Sequence, residues 1–241
     1  QMANAPAWVV HLSTHEGLEE ALRARNRGQE VYLETCPQYL TLTDERYNDP
    51  DGAKFIMSPP LRKKEDQLAL LSAMHRDEID VVGTDHCSFT MAQKALGKDD
   101  FSKIPNGGAG VQNRAELIYT YGVAAGRITI EQMAALCSAN AAKIFGMYPK
   151  KGVIAPGADA DIVVYDPNGH TSIGMPVDEN GNPTGKKHHM NMDHAAWEGF
   201  EIDGKVDTVI SRGSVVIQND QFHGRAGHGQ YLRRGLSQYL V

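Results

Sequence analysis

Hydrophobic positions in this chain follow two rhythms, and the change from one to the other divides it. Through the first two-thirds, short apolar runs alternate with longer stretches in which apolar residues recur at helical spacing. Ala7-Trp8-Val9-Val10 runs into His11-Leu12-Ser13 and predicts a strand. Glu16 to Arg27 sets Leu18 and Leu22 among Glu, Ala and Arg and is followed by Gly28, the pattern of a helix with its terminating glycine. Val31 to Thr35 predicts the next strand, so the three segments form a strand-helix-strand unit whose crossover should be right-handed. Phe55-Ile56-Met57 predicts a third short strand, and Glu65 to Arg76 a helix with Leu68, Leu71 and Met74 on one face. Asp80-Val81-Val82-Gly83-Thr84-Asp85 predicts a buried strand that stops on a carboxylate. Phe89 to Gly110 predicts a long loop, of a length that is usually functional or disordered. Helices are then expected at about 112–125 and from the N-cap Thr129, where Gln132 completes a capping box, to Phe145.

From Lys150 the rhythm shortens. Turn residues precede the β-branched run at Ile162-Val163-Val164, and Val206 to Ile217 predicts two strands around Arg212-Gly213, so a separate β-rich layer is expected. His170 to Gly199 is polar and Gly/Pro-marked without helical period. The tail from Gln221 carries Gly224, Gly227, Gly229 and several Arg, and predicts an extended arm docked on a neighbouring subunit or on its own surface. The expected units are 1–149, 150–219 and 220–241.

Composition narrows the class. With 41% hydrophobic and 22% charged residues among 241, the chain is globular, and its formal net charge of −6 without any basic block argues against a nucleic-acid partner. There is no apolar run long enough to span a bilayer, so no membrane role is expected. Three cysteines without a CxxC spacing suit free thiols in a reducing compartment, the cytoplasm. The chain opens on Gln1 and runs at once into a buried strand, which reads as the middle of a protein.

The candidate chemistry sits where strands end. In parallel α/β sheets ligands bind at the carboxyl ends of strands, and His11 and Asp85 both occupy such ends. An imidazole nitrogen and a carboxylate oxygen are good ligands for a borderline divalent cation such as zinc. The alternative for Asp85 is that it caps whatever follows its strand. His15 and His86 are expected as supporting or surface groups beside this pair, and His188-His189 as solvated or structural.

Six motifs in order carry a resemblance: Val10-His11-Leu12-Ser13, Glu34-Thr35-Cys36-Pro37-Gln38-Tyr39-Leu40, Met57-Ser58-Pro59-Pro60-Leu61-Arg62, Gly83-Thr84-Asp85-His86, Ile104-Pro105-Asn106-Gly107 and Gly157-Ala158-Asp159-Ala160-Asp161. Through them the chain resembles the carboxyl-terminal half of the dihydropyrimidinase and hydantoinase family, cyclic-amide hydrolases of the amidohydrolase superfamily. The resemblance implies an α/β fold: the C-terminal part of a (β/α)₈ TIM-like barrel with part of a small β-sandwich and the extended arm. It implies a centre of two divalent metal ions, zinc first with Mn, Co or Fe admissible, in which His11 binds one metal and Asp85 the other. A carbamylated Lys and the remaining ligands are expected upstream of this chain, so activity would need the N-terminal half of the barrel.

The implied reaction is opening of a hydantoin or 5,6-dihydropyrimidine ring by metal-bound hydroxide, with Asp85 as general acid and base. Ser58 and Asn106 are implied to hold the cyclic amide or imide through main-chain groups. The turns fit this, since Pro59-Pro60 fixes the chain after Ser58 and Gly107-Gly108 lets a ligand approach Asn106. A homotetramer is implied. Gln112-Asn113-Arg114 departs from relatives, which often place an acid there. The rival expectations are allantoinase or dihydroorotase activity, and a non-catalytic dihydropyrimidinase-like scaffold.

Overall fold

A computed structural model describes residues 5–174 and 188–238. Strands β1 (Ala7–Val9), β2 (Val31–Thr35) and β3 (Val81–Val82) form a parallel sheet in that order, with Val9 opposite Leu33 and Thr35 opposite Val82. Helix α1 (His15–Asn26) makes the first crossover. Thr14 caps it by accepting from the Gly17 amide at 3.1 Å, and Gly28 leaves it at φ 80°, as the glycine signal requires. Helix α2 (Pro37–Thr41) follows β2 directly, with proline at its first turn, and α3 (Lys64–His75) leads back towards β3.

Both faces of the parallel sheet are covered, as such sheets demand. Side chains alternate along each strand: Leu33 and Val82 enter the main core with Leu18, Leu70 and Met74, while Tyr32 and Val81 pack with Trp8, Ala141 and Ile144 on the other side. Three expectations change here. Leu68 lies 53% exposed on α3, and the buried stripe is instead Gln67, Leu70, Leu71, Ala73 and Met74, the set that faces the sheet. Phe55-Ile56-Met57 is not a strand. A 3₁₀ turn over Gly52–Phe55 precedes it, and the Ile56 carbonyl is taken by the Gly107 amide and the Lys94 ammonium rather than by a neighbouring strand. The stretch from Phe89 to Gly110 is built rather than loose, since it contains α4 (Met91–Lys94) and 3₁₀ turns at Ala95–Gly97 and Phe101–Lys103.

Beyond it, α5 (Arg114–Ile118) continues through π-helical turns over Tyr119–Ala124. Helix α6 (Ile130–Ala134) opens with the expected Thr129–Gln132 capping box and joins α7 (Asn140–Ile144) through Ala135–Ala139. The β-rich layer is one antiparallel sheet, β4 (Ile162–Ser172), β5 (Glu201–Ser211), β6 (Ser214–Gln218) and β7 (Gln221–Phe222) in sequence order. It shares the main core through Ile202, Ile173 and Trp197, and the Trp197 indole donates to Thr41 Oγ1 at 2.7 Å. The polar stretch expected from His170 to Gly199 lies in part outside the described residues. The tail runs along its own chain: Gly235 N donates to Gly146 O and Gln238 N to Lys143 O, both at 2.8 Å. Among the described residues no helix is long and apolar enough to cross a membrane.

Candidate active site

Strand ends build the site. β1 stops at Val9, yet its pairing carries on past His11, because Leu12 N donates to Glu34 O at 2.7 Å and the buried Thr35 hydroxyl donates to Leu12 O at 2.7 Å. His11 is thereby held between two fixed neighbours with left-handed backbone, φ 41°. Asp85 has the same conformation, φ 48°, at the end of β3. It follows Thr84, whose carbonyl accepts from Gln38 Nε2 at 3.4 Å. His86, next in sequence, accepts from the Gly110 and Val111 amides through Nδ1 at 3.1 and 3.3 Å, so it straps the following loop in place. His15 stays on the surface, its amide on Asp66 and its ring beside Glu19.

Between the two strand ends lies a carboxylate that the sequence reading passed over. Glu34 is the last residue but one of β2, while His11 and Asp85 follow the ends of β1 and β3, and a Cβ on Gly83 would meet Glu34 Oε1 at 2.9 Å, so glycine there makes room for it. Burial raises the Glu34 carboxyl above its ordinary range. The His11 amide and ring pull it down, Asp85 adds to the upward push, and Arg114 opposes it. Arg114 itself donates to Val82 O at 3.0 Å, which puts a fixed positive charge beneath this cluster. The signal for Glu34 was available: a lone acid at the carboxyl end of a buried strand.

The motif from Thr35 to Leu40 now has a physical reading. Gln38 backs Thr84, and the Tyr39 hydroxyl donates to Pro59 O at 2.8 Å, so α2 braces both Asp85 and the Ser58 turn. Ser58 and Asn106 are exposed. Among the described residues the Ser58 main chain makes no hydrogen bond, and Asn106 makes one weak contact, Nδ2 to Ile104 O at 3.4 Å. Their neighbours, by contrast, are pinned. Ile56 O, Pro105 O and Gly107 O all accept from Lys94, and Gly107 N donates to Ile56 O at 3.0 Å. Among the described residues the arrangement leaves main-chain amide and carbonyl groups unpaired at two turns, the kind of polar group by which concave sites orient small ligands.

The His11 imidazole and the Asp85 carboxylate are donor types that divalent ions of the zinc group accept, so by their chemistry these two residues fit a metal as part of a ligand set. Among the described residues no three His, Cys, Asp or Glu come together at metal-binding spacing. His188 is half-buried and His194 buried, each with a ring nitrogen that has no partner among the described residues, and neither is among the strand-end groups.

A model of the amidohydrolase family matches residues 8–216. The D-hydantoinase of Streptomyces coelicolor is 47% identical over 244 residues, covering 100% of this chain and 50% of that protein. The D-phenylhydantoinase of Escherichia coli is 44% identical over 232 residues, 96% of this chain and 48% of that one. Among solved structures, the dihydropyrimidinase from Brevibacillus agri superposes with a TM-score of 0.90 at 42% identity, over 100% of this chain and 50% of that one. The L-hydantoinase of Arthrobacter aurescens superposes with a TM-score of 0.83 at 28% identity, over 97% of this chain and 49% of that one. The chain spans about half the length of the relatives it matches.

Proposed function

Because the chain belongs to the amidohydrolase family, we propose that the complete protein opens a cyclic amide, a hydantoin or 5,6-dihydropyrimidine ring, by hydrolysis. The carrying observation is the pair of left-handed strand-end residues, His11 and Asp85, on either side of Glu34 and beside the free main-chain groups of Ser58 and Asn106. His11 and Asp85 would hold part of a divalent metal centre, zinc first, which lowers the pKa of water and polarises the amide carbonyl. The remaining ligands, a carbamylated Lys among them, come from the rest of the barrel.

Asp85 takes the proton from the attacking water and hands it to the leaving ring nitrogen. A carboxylate on a braced strand end suits that double role, since general acid–base transfer depends first on position. Ser58 and Asn106 orient the ring amide through their main chains. The names of the relatives favour hydantoins over allantoin or dihydroorotate. The complete protein is proposed as a homotetramer of the cytoplasm, which light scattering checks for assembly.

Metal content and ring opening decide the reading together. The full-length protein, loaded to two metals per chain, is expected to open hydantoin or dihydrouracil. A fully loaded protein that opens neither of these, nor allantoin, overturns the reading in favour of a scaffold.

A further inference from the structure

Lys94 is 1% exposed, the last residue of a four-residue helix in a stretch whose sequence predicts only loop. Its ammonium donates to Ile56 O at 2.8 Å, Pro105 O at 3.0 Å and Gly107 O at 2.8 Å, and so uses all three of its protons. Among the described residues its partners are these carbonyls and no carboxylate. A buried cation without a counter-charge is costly unless its hydrogen bonds are complete. Burial pushes this one down to about 8, with Cys87 nearby acting the other way, and its three carbonyl partners are those of an ammonium with three donors.

The three carbonyls belong to two segments about fifty residues apart, and they flank Ser58 and Asn106 rather than coincide with them. We propose that Lys94 is the positioning residue that clamps these two segments together, so that the Ser58 and Asn106 main-chain groups stay free and correctly spaced for the ring amide. This rests on the reading of the site given above.

The rest of the local structure serves the clamp. Helix α4 is too short to hold its own position, and two devices hold it. Thr90 and Gln93 close a capping box, and the Asp193 carboxylate accepts from Met91 N at 3.0 Å. Gly97, just after the helix, lies so close to Ile104 that a Cβ would overlap its main chain. Gly107 takes φ 149°, where a Cβ would overlap the Cys87 carbonyl. Each contact draws the 104–107 segment against α4 and the turn after Asp85. Arg could not replace Lys94, because a planar guanidinium does not send three donors to three carbonyls around one point.

The test uses Lys94→Met in the complete enzyme, which keeps the length of the side chain and removes its donors. The clamp predicts a KM for the cyclic amide raised tenfold or more with a much smaller change in kcat, unchanged metal content, and loss of hydrogen-exchange protection at the Gly107 amide. A KM within twofold of the parent together with unchanged Gly107 protection overturns it. Should Lys94→Met fail to fold, Lys94→Gln, with two donors for three carbonyls, is expected to give intermediate values of both readouts, and parental values would overturn the clamp equally. If the parent opens no cyclic amide, the functional reading falls by itself, and the exchange at Gly107 alone decides whether Lys94 holds the two segments.

Discussion

Left-handed backbone occurs at non-glycine residues in both sheets, for opposite reasons. In the antiparallel layer, Arg212 and Gly213 (φ 45° and 79°) and Asn219 and Asp220 (φ 48° and 61°) are the central pairs of two-residue loops joining β5 to β6 and β6 to β7. Positive φ at both positions is what the twist of a tight hairpin selects, so local geometry is sufficient. In the parallel sheet, His11 and Asp85 take the same region where the chain passes into crossovers and no hairpin asks for it. Here the neighbouring residues are tied to distant groups, Leu12 to Glu34 and Thr35 after His11 and Thr84 to Gln38 before Asp85. Such backbone costs on the order of 1–3 kcal/mol and persists only when the surroundings over-determine it, which is why it clusters at functional sites. The conformation alone therefore says little; its cause separates a turn from a site.

The largest expected effect tests that separation. Asp85→Asn in the complete enzyme should lower kcat by about 10²–10⁴ while metal stays bound, the range that a positioned acid or base contributes. Steady-state kinetics with metal analysis checks it, and near-parental turnover would remove Asp85 from the chemistry. Next is a contrast in burial. Leu33 is fully buried in β2, whereas Val163 in β4 is 53% exposed. Leu33→Ala should destabilise by about 2–5 kcal/mol and Val163→Ala by under about 0.5 kcal/mol in urea titrations. Similar losses at both would mean that the antiparallel layer is as deeply packed as the parallel one.

How much of this was legible depends on how far each residue's partners lie along the chain. Helix α1 and strand β2 are local events, set by Thr14, Gly28 and a run of apolar residues, and their positions follow from the sequence to within a residue or two. Phe55–Met57 looks like a strand by its side chains, but its hydrogen-bond partners are Gly107 and Lys94, which no local pattern announces. Leu68 misled because its spacing to Leu71 and Met74 is helical although the stripe facing the sheet runs through Gln67 and Leu70. The stretch after Phe89 was expected as loop, although Thr90 and Gln93 stand at the Thr-x-x-Gln spacing of the capping box that opens α4. Of the candidate site, the positions of His11 and Asp85 just past the ends of parallel strands were legible, and Glu34 near the end of β2 carried a similar signal. Lys94 carried none, since a lysine in a polar stretch reads as solvated until the fold encloses it.

A finer division between turn and site comes from glycine substitution. Asn219→Gly and His11→Gly each relieve left-handed backbone and loosen the unfolded chain, opposing effects that should leave stability within about 1 kcal/mol of the parent in both cases. The two should part in function: Asn219→Gly is expected to keep full activity and metal content, and His11→Gly to lose both. Metal loss from neither variant would place His11 outside the centre.

The smallest effect concerns the clasp that holds the β5–β6 hairpin to the start of β4. Asp161 accepts from Arg212 N at 2.8 Å and pairs with Lys151, and Asp159 pairs with Lys150 at 2.6 Å and Lys151 at 3.0 Å. For Asp161, burial pushes the carboxyl up, but Lys151 and the Arg212 amide outweigh it and hold it below the ordinary value; for Asp159, Lys150 and then Lys151 do so. A carboxyl lowered on folding binds fewer protons in the folded than in the unfolded chain. Its stabilising contribution is therefore fully present above the ordinary aspartate range and fades as pH falls through the lowered values. Asp161 and Lys150 face solvent and Asp159 and Lys151 do so in part, so the effect should be small and should shrink further in high salt. Asp161→Asn is expected to flatten the acid limb of a stability-against-pH curve at low ionic strength and to leave the neutral-pH activity unchanged. An acid limb as steep as the parent's would show that the hairpin is held by its turn geometry alone, as the first comparison holds for the backbone of Arg212.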